Sequence, residues 1–378
     1  MPRVLISDEL SPNATEIFES RGLEVDRKIG LTHEQLLSEI EGYDGLAIRS
    51  ATKVTAEVIA KAKNLKVVGR AGIGVDNIAV DAASAAGVVV MNTPFGNSIT
   101  TAEHTIAMIL AVARQIPDAN SSTHAGKWEK TKYLGTEVTG KILGLVGAGN
   151  VGSVVAARAI GLQMQVVVHD PYLSAERALA LGVKKLETLS EVLRCADFLS
   201  LHVPKTDKTQ NLISTAEISL MKKGAKIINC ARGGLVDEEA VALAITSGHL
   251  GGAAFDVFSE EPTFSSPLFG LSNVVCTPHL GASTKEAQEN VALQVAKQMC
   301  DYLVRGSISN ALNAPSLTAE EVPVLTPWIK LLTAIGSFAG QITDSPIKGI
   351  EIEFVGAVGQ LNLKPLVASV TSALLIPL

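Results

Sequence analysis

Aromatic residues make up only 4% of the 378-residue chain, and cysteine is scarcer still, with four in all. So thin an aromatic complement argues against a β-sandwich core. It favours layered helix–sheet packing built from the abundant Ala, Val and Gly. Cys195, Cys230, Cys276 and Cys300 lie far apart and form no CxxC, so they read as buried reduced thiols, with no metal site expected. There is no positive excess either: 32 Lys and Arg against 38 Asp and Glu leave a formal charge of −6. That balance provides no field for nucleic acid or an acidic membrane, although local basic residues can still bind a small anion. The opening MPRVLISDEL lacks the charged leader and cleavage site of a signal peptide, and no apolar run approaches a membrane span. A soluble cytoplasmic protein is expected.

What the chain does have is rhythm. RVLIS, LEVDR, GLAIR, LKVVG and VVVMN read as Val/Ile-rich strands, separated by the helical patterns SPNATEIFES, THEQLLSEIE and TAEVIAKA. Ser11-Pro12 suits an N-cap followed by proline, and Thr32 with Gln35 fits a capping box. A long apolar helix is expected from Ile99 to Gln115, then a polar stretch, SSTHAGKWEKTKYLGTEV. The alternation restarts with KILGLVG, QVVVHD, FLSLHV, KIINCA, GAAFDV and NVVCTP, and KEAQENVALQVAKQMCDYLVRG reads as one amphipathic helix returning to the first sheet. The fold class predicted is α/β: two doubly wound Rossmann-like lobes with a parallel sheet each, plus a short incomplete α+β C-terminal segment. In that segment SISNALNAPSLTAEEVP reads as a linker, WIKLLTAIGSFAGQI as a helix and IKGIEIEFVG as a strand, with LLIPL closing nothing.

GLVGAGNVG places Gly147, Gly149 and Gly152 in GxGxxG spacing between a strand and a helix. Glycines there permit a tight turn and a close approach of backbone to a pyrophosphate, which the helix N-terminus then faces. Asp170 closes the next strand, where a carboxylate accepts both ribose hydroxyls of NAD and repels a 2′-phosphate. NAD is therefore favoured over NADP.

Ligands of doubly wound sheets bind at the carboxyl ends of strands. Three such ends carry polar groups: Arg232 in NCARGG, Asp256 with Glu260 and Glu261 in FDVFSEEP, and His279 in TPHLG. Oxidising a 2-hydroxy acid needs a base for the hydroxyl proton, a cation for the carboxylate and a nicotinamide. Neutral His279 suits the base, Arg232 has the planar fork for a carboxylate, and one of the two glutamates would stabilise the imidazolium. His202 is the rival histidine and reads as a cofactor-side structural residue. His104, inside an apolar helix, reads as packed or interfacial.

At NCARGGLVDEEA, AAFDVFSEEP and TPHLGAST the sequence resembles the D-isomer-specific 2-hydroxyacid dehydrogenases. The resemblance covers about residues 3–310. It implies an Arg232–Glu261–His279 catalytic set and selects the glutamate that precedes Pro262. It implies NAD contacts at Asn150, Val151, Val203, Cys230, Ala231, Asp256 and Ala282. GRAGIGVDNI, MNTPFGNS and GKWEKTKYLGTE are similar to members that oxidise D-3-phosphoglycerate to 3-phosphohydroxypyruvate, the first step of L-serine biosynthesis. By the same resemblance Arg49, Arg70, Asn97 and Lys132 would bind the phosphorylated substrate. It also implies a substrate lobe at 1–98 completed by 284–310, an NAD lobe at 99–283 and a partial intervening or regulatory domain at 311–378. The substrate would lie in a cleft between the lobes. A homodimer or homotetramer is expected, with the segment around Trp128 and Tyr133 as an intersubunit arm. Two alternatives remain open on the sequence: a glyoxylate or hydroxypyruvate reductase, and an NAD-sensing corepressor-like scaffold.

Overall fold

Runs of Val, Ile and Leu too short for helices become strands that are buried along nearly their whole length. The computed structural model describes residues 1–343 and 346–375. It divides into two units, Met1–Gly96 with Gln288–Leu378, and Asn97–Ala287.

In the first unit β1 (Arg3–Ile6), β2 (Glu24–Arg27), β3 (Gly45–Ile48), β4 (Val67–Arg70) and β5 (Val89–Met91) form a parallel sheet in the order β2-β1-β3-β4-β5. This is the doubly wound order in which the connections leaving β1 and β3 run in opposite directions. All four residues of β3 are buried, as a strand covered on both faces requires. Thr32 and Gln35 form the expected reciprocal capping box. Ser11 departs from expectation: its side chain makes no cap bond, and Pro12 alone marks that helix start.

The helix Lys285–Arg305 lays Val291, Val295 and Met299 on one face of this sheet. Gly69 makes the approach possible, since a Cβ there would strike the Met299 sulfur and come within 2.7 Å of Val295 Cγ2. The segment read as a linker is in fact packed. Ala311 bridges Met91 in antiparallel sense, Asn313 Oδ1 accepts from the Val90 N–H at 2.9 Å, and Ile308 pairs with Leu317. Its polar residues supply hydrogen bonds to the β5 edge, which composition alone does not distinguish from a solvated tether.

Beyond it, the helix Glu321–Gln341 begins earlier than expected and packs on Leu363–Leu375. Pro323 falls in its first turn, where the missing N–H costs no intrahelical bond. The helix is 21 residues long, and by length and composition it is apolar enough to cross a membrane, which corrects the expectation that no such run exists. IKGIEIEFVG forms no strand: an extended segment needs a ladder partner, and none is offered among the described residues. The C-terminal segment is thus helical rather than α+β there, and the last three residues of LLIPL lie outside the described residues.

In the second unit β6 (Ile142–Val146), β7 (Gln165–His169), β8 (Lys184–Lys185), β9 (Phe198–Leu201), β10 (Lys226–Asn229), β11 (Gly252–Phe255) and β12 (Val274–Cys276) form a parallel sheet ordered β12-β11-β10-β9-β6-β7-β8. The strand order reverses between β6 and β9, the switch point where such sheets bind dinucleotides. The helix Asn150–Gly161 matches the expected segment, and Ser98–Arg114 packs its buried Ala102, Met108, Ile109 and Val112 into the core. A further helix, Ile116–His124, replaces the start of the expected polar stretch. It buries no residue, so it carries no apolar period by which to read it.

Candidate active site

The cofactor loop is built by steric exclusion. Gly147 follows β6 at φ +94°, a conformation that disfavours any side chain, and a Cβ there would sit 2.6 Å from the His202 carbonyl oxygen. A Cβ on Gly152 would collide with the Gly147 carbonyl, so the first turn of Asn150–Gly161 can lie against the strand only without a side chain. A Cβ on Gly149, by contrast, would meet nothing within 4 Å. The loop is therefore closed against the protein on two glycines and open to solvent on the third, which fits an approaching pyrophosphate. Gly149 is also the N-cap, so no side chain covers that helix end, and Asn150 and Val151 open the helix.

Asp170 lies one residue beyond β7 and ties the loop from the other side. Its Oδ2 accepts from the Ala148 N–H at 2.9 Å and its Oδ1 from the Tyr172 N–H at 2.8 Å. The remaining lone pairs of both oxygens suit ribose hydroxyls. Val203 stands against Gly147 just past β9. His202 bonds Ser200 through Nε2 at 2.9 Å, and desolvation pushes it down to about 4, so the ring is neutral near pH 7. It keeps some solvent contact, but its surroundings are dense enough to disfavour the charged form.

Past β10 the chain turns through Cys230, Ala231 and Arg232. Asn229 shapes this turn: its Oδ1 accepts from the Ala231 N–H at 3.1 Å and its Nδ2 donates to the Arg232 carbonyl at 2.9 Å. The Arg232 guanidinium donates to the Ala231 carbonyl at 2.7 Å, which folds it back over the turn. Burial, with the Asp256 charge adding to it, pushes the Cys230 thiol up to about 12, so it stays protonated and is no nucleophile. Gly233 allows the turn to press on the loop after β11, since a Cβ would overlap the Phe258 carbonyl.

That loop carries Glu261. Its Oε1 accepts from the Phe258 N–H at 3.0 Å, and its Oε2 lies 2.6 Å from His279 Nδ1. Burial, the largest influence, opposes ionisation of Glu261, but hydrogen bonds from His279 and Phe258 outweigh it and hold the carboxyl below the usual range. A carboxylate only accepts, so Nδ1 carries a proton, and in the neutral ring the lone pair is then on Nε2. Nε2 has no hydrogen-bond partner among the described residues. Glu260, the competing glutamate, is exposed.

His279 sits at φ +55°, a left-handed conformation uncommon for a residue of its size. The turn is held from beneath by Asp256, whose backbone carbonyl accepts the His279 N–H at 2.8 Å. Its carboxylate takes Thr277 Oγ1 at 2.6 Å, the Leu280 N–H at 2.7 Å and the Gly281 N–H at 2.8 Å. Asp256 is fully buried. The sequence reading treats it as a cofactor contact; in the structure both of its oxygens are occupied by donors of the turn that carries His279. Ala282 follows on the same turn, half-buried.

The remaining predicted residues are placed separately. In the first unit Arg70 closes β4 and Arg49 lies one residue beyond β3, its paired strand. Asp8 accepts the Arg49 N–H at 2.6 Å, and Asn77 Nδ2 donates to the Arg49 carbonyl at 2.8 Å. Neither supporting residue is singled out by sequence, although the Asn77 of GVDN stands in a motif already noted. Asn97, at the start of the helix Ser98–Arg114, buries an Oδ1 that no group among the described residues bonds. Lys132 is engaged locally, 3.7 Å from Glu129 and stacked 5.5 Å over the Tyr133 ring. Nearby Trp128 and Leu134 are 88% and 85% exposed.

Comparison with known proteins agrees along the chain. Residues 106–281 match the NAD binding domain of the D-isomer specific 2-hydroxyacid dehydrogenases, and residues 324–378 match the D-3-phosphoglycerate dehydrogenase intervening domain. D-3-phosphoglycerate dehydrogenase of Synechocystis sp. is 44% identical over 376 residues, 99% of this chain and 68% of that one. The Bacillus subtilis enzyme of the same name is 42% identical over 378 residues, 100% of this chain and 71% of its own. Among solved structures, an NAD+-bound 3-phosphoglycerate dehydrogenase of Entamoeba histolytica superposes with a TM-score of 0.71 at 27% identity, covering 84% of this chain and 99% of that one. With a glycine loop shaped for a pyrophosphate, a histidine held by a carboxylate, and relatives that match nearly the whole of this chain, the chain belongs to the D-isomer specific 2-hydroxyacid dehydrogenase family.

Proposed function

We propose that the protein catalyses NAD-dependent oxidation of D-3-phosphoglycerate to 3-phosphohydroxypyruvate, the first step of L-serine biosynthesis. The observation that carries the chemistry is the 2.6 Å contact from His279 Nδ1 to Glu261, which in the neutral ring leaves Nε2 as the nitrogen able to accept a proton. Bound at the β6 loop, NAD supplies the hydride acceptor. His279 Nε2 takes the proton of the C2 hydroxyl, and the imidazolium so formed is stabilised by the Glu261 carboxylate. Arg232 binds the substrate carboxylate and polarises the developing carbonyl. In the reverse direction the same imidazolium returns the proton.

A phosphate calls for cations besides Arg232, and we assign them to Arg49 and Arg70, with Asn97 and Lys132 as further polar contacts. The buried Oδ1 of Asn97, unpartnered among the described residues, supports a hydrogen bond from a substrate hydroxyl. We place the enzyme in the cytoplasm, which its four free cysteines support. We read it as a homodimer or homotetramer, on the strength of the exposed Trp128 and Leu134.

The test is NADH formation by the purified chain from D-3-phosphoglycerate, D-glycerate and D-lactate, with Arg49→Ala alongside. Phosphoglycerate should be the preferred substrate, and the variant should raise its KM by about tenfold or more while changing glycerate little. Robust turnover of lactate or glycerate without phosphoglycerate activity overturns the substrate assignment.

A further inference from the structure

Behind the His279 turn stands a second histidine that the reaction scheme does not use. His104 lies on the helix Ser98–Arg114, and its Nε2 is 3.2 Å from Asp256 Oδ1 and 3.3 Å from Thr277 Oγ1. Its side chain is only 19% exposed. Asp256 is an acceptor, and the Thr277 hydroxyl already donates to it, so Nε2 of His104 must carry a proton and share it between the two oxygens. Among the described residues, every other donor to this carboxylate belongs to the turn of residues 277–281 itself. His104 is the donor that comes from outside the turn, on a helix anchored in the core of the second unit. The same helix supports the turn again at Thr101, whose Cγ2 a Cβ on Gly281 would meet at 3.4 Å.

We propose that His104 is a positioning residue for the dehydrogenase reaction: it locks the Asp256 carboxylate in the pose that fixes the 277–281 turn and thereby aims His279. The left-handed backbone of His279 persists only where its surroundings over-determine it, and the hydrogen bonds to Asp256 are those surroundings. Without the anchor, Asp256 and the turn can shift together. The His279 ring then leaves its 2.6 Å bond to Glu261 while the glycine loop on β6 is untouched. The inference rests on the reading of His279 as the base.

The experiment compares His104→Leu, His104→Gln and His279→Ala in the intact chain, by steady-state NADH formation from D-3-phosphoglycerate and by NADH binding fluorescence. His104→Leu should lower kcat by about 10- to 100-fold, the cost of misplacing a catalytic group by about 1 Å, with nucleotide affinity nearly unchanged. His104→Gln, which keeps an N–H donor, should recover most of the loss. If His104→Leu does not fold, judged by circular dichroism, Thr277→Val removes the shared hydroxyl instead and should give the same split between kcat and affinity. Unchanged kcat in a folded His104→Leu, or in Thr277→Val, with His279→Ala inactive, overturns the inference alone. So does a folded His104→Gln as impaired as the leucine variant. A fully active His279→Ala overturns the reading beneath it.

Discussion

Replacing Glu261 by Gln removes one charge from the site and leaves its shape nearly intact. The amide has one acceptor where the carboxylate has two: with its oxygen on His279 Nδ1 the ring keeps its orientation, and the NH2 then faces the Phe258 N–H, which loses its acceptor. What disappears is the attraction between carboxylate and imidazolium once His279 has taken the proton. Across roughly 4 Å between charge centres, at an effective dielectric constant of about 20, that attraction is about 4 kcal/mol. Glu261 and His279 are 34% and 50% exposed, so solvent screens much of it. A net 1–3 kcal/mol, about 5- to 150-fold in kcat, is the reasonable range. Because the interaction forms during proton transfer, kcat should fall more than KM rises. Steady-state NADH formation from D-3-phosphoglycerate at pH 7–9 measures both. A kcat within about threefold of the parent, with the variant folded, would refute the role given to this carboxylate.

Asp170→Ala should weaken NAD binding and raise the relative use of NADP by about 10-fold or more, because a 2′-phosphate no longer meets a carboxylate; paired titrations with both nucleotides measure it, and an unchanged ratio contradicts the assignment. His202 makes a prediction about stability. Its folded value of about 4 lies below the ordinary 6.5, so the unfolded chain binds a proton that the folded chain does not. Stability from this residue is therefore complete above about pH 6.5 and is lost as pH falls towards 4, by at most about 3 kcal/mol at 1.36 kcal/mol per pH unit. Urea unfolding at pH 7 and pH 4.5 should show a smaller pH dependence in His202→Gln than in the parent; equal dependence contradicts the desolvation argument.

The parts of the fold that sequence revealed are those with a strong local period. The helix Asn150–Gly161 and the Val/Ile runs of β6, β7 and β10 announce themselves because burial on both strand faces, or on one helix stripe, dictates composition. β8 is two lysines at a sheet edge, and the helix Ile116–His124 buries nothing, so neither has a pattern to read. The packed segment at 308–317 was hidden for a related reason: its asparagines bond a strand edge, which composition cannot separate from exposure to water.

At the site, candidates for the chemistry could be listed from the sequence, because Arg, Glu and His at strand ends are few, though the choice of Glu261 over Glu260 came from the family resemblance. The residues that orient them could not. Asn229, Asp256 and His104 act through hydrogen bonds to backbone or to a neighbouring side chain, and such roles depend on which segments meet. Asp256 was visible as a polar group at a strand end, but its duty to the 277–281 turn depends on the register of β11 against β12.

The most direct measurement is rapid-mixing of the enzyme with saturating NAD and D-3-phosphoglycerate, following the first turnover of NADH in the parent chain and in His279→Ala. Loss of the base should slow that turnover by about 10²- to 10⁴-fold, with NAD affinity preserved. A first turnover in the variant as fast as in the parent would mean that proton transfer runs through another group, and the site built around His279 would have to be abandoned.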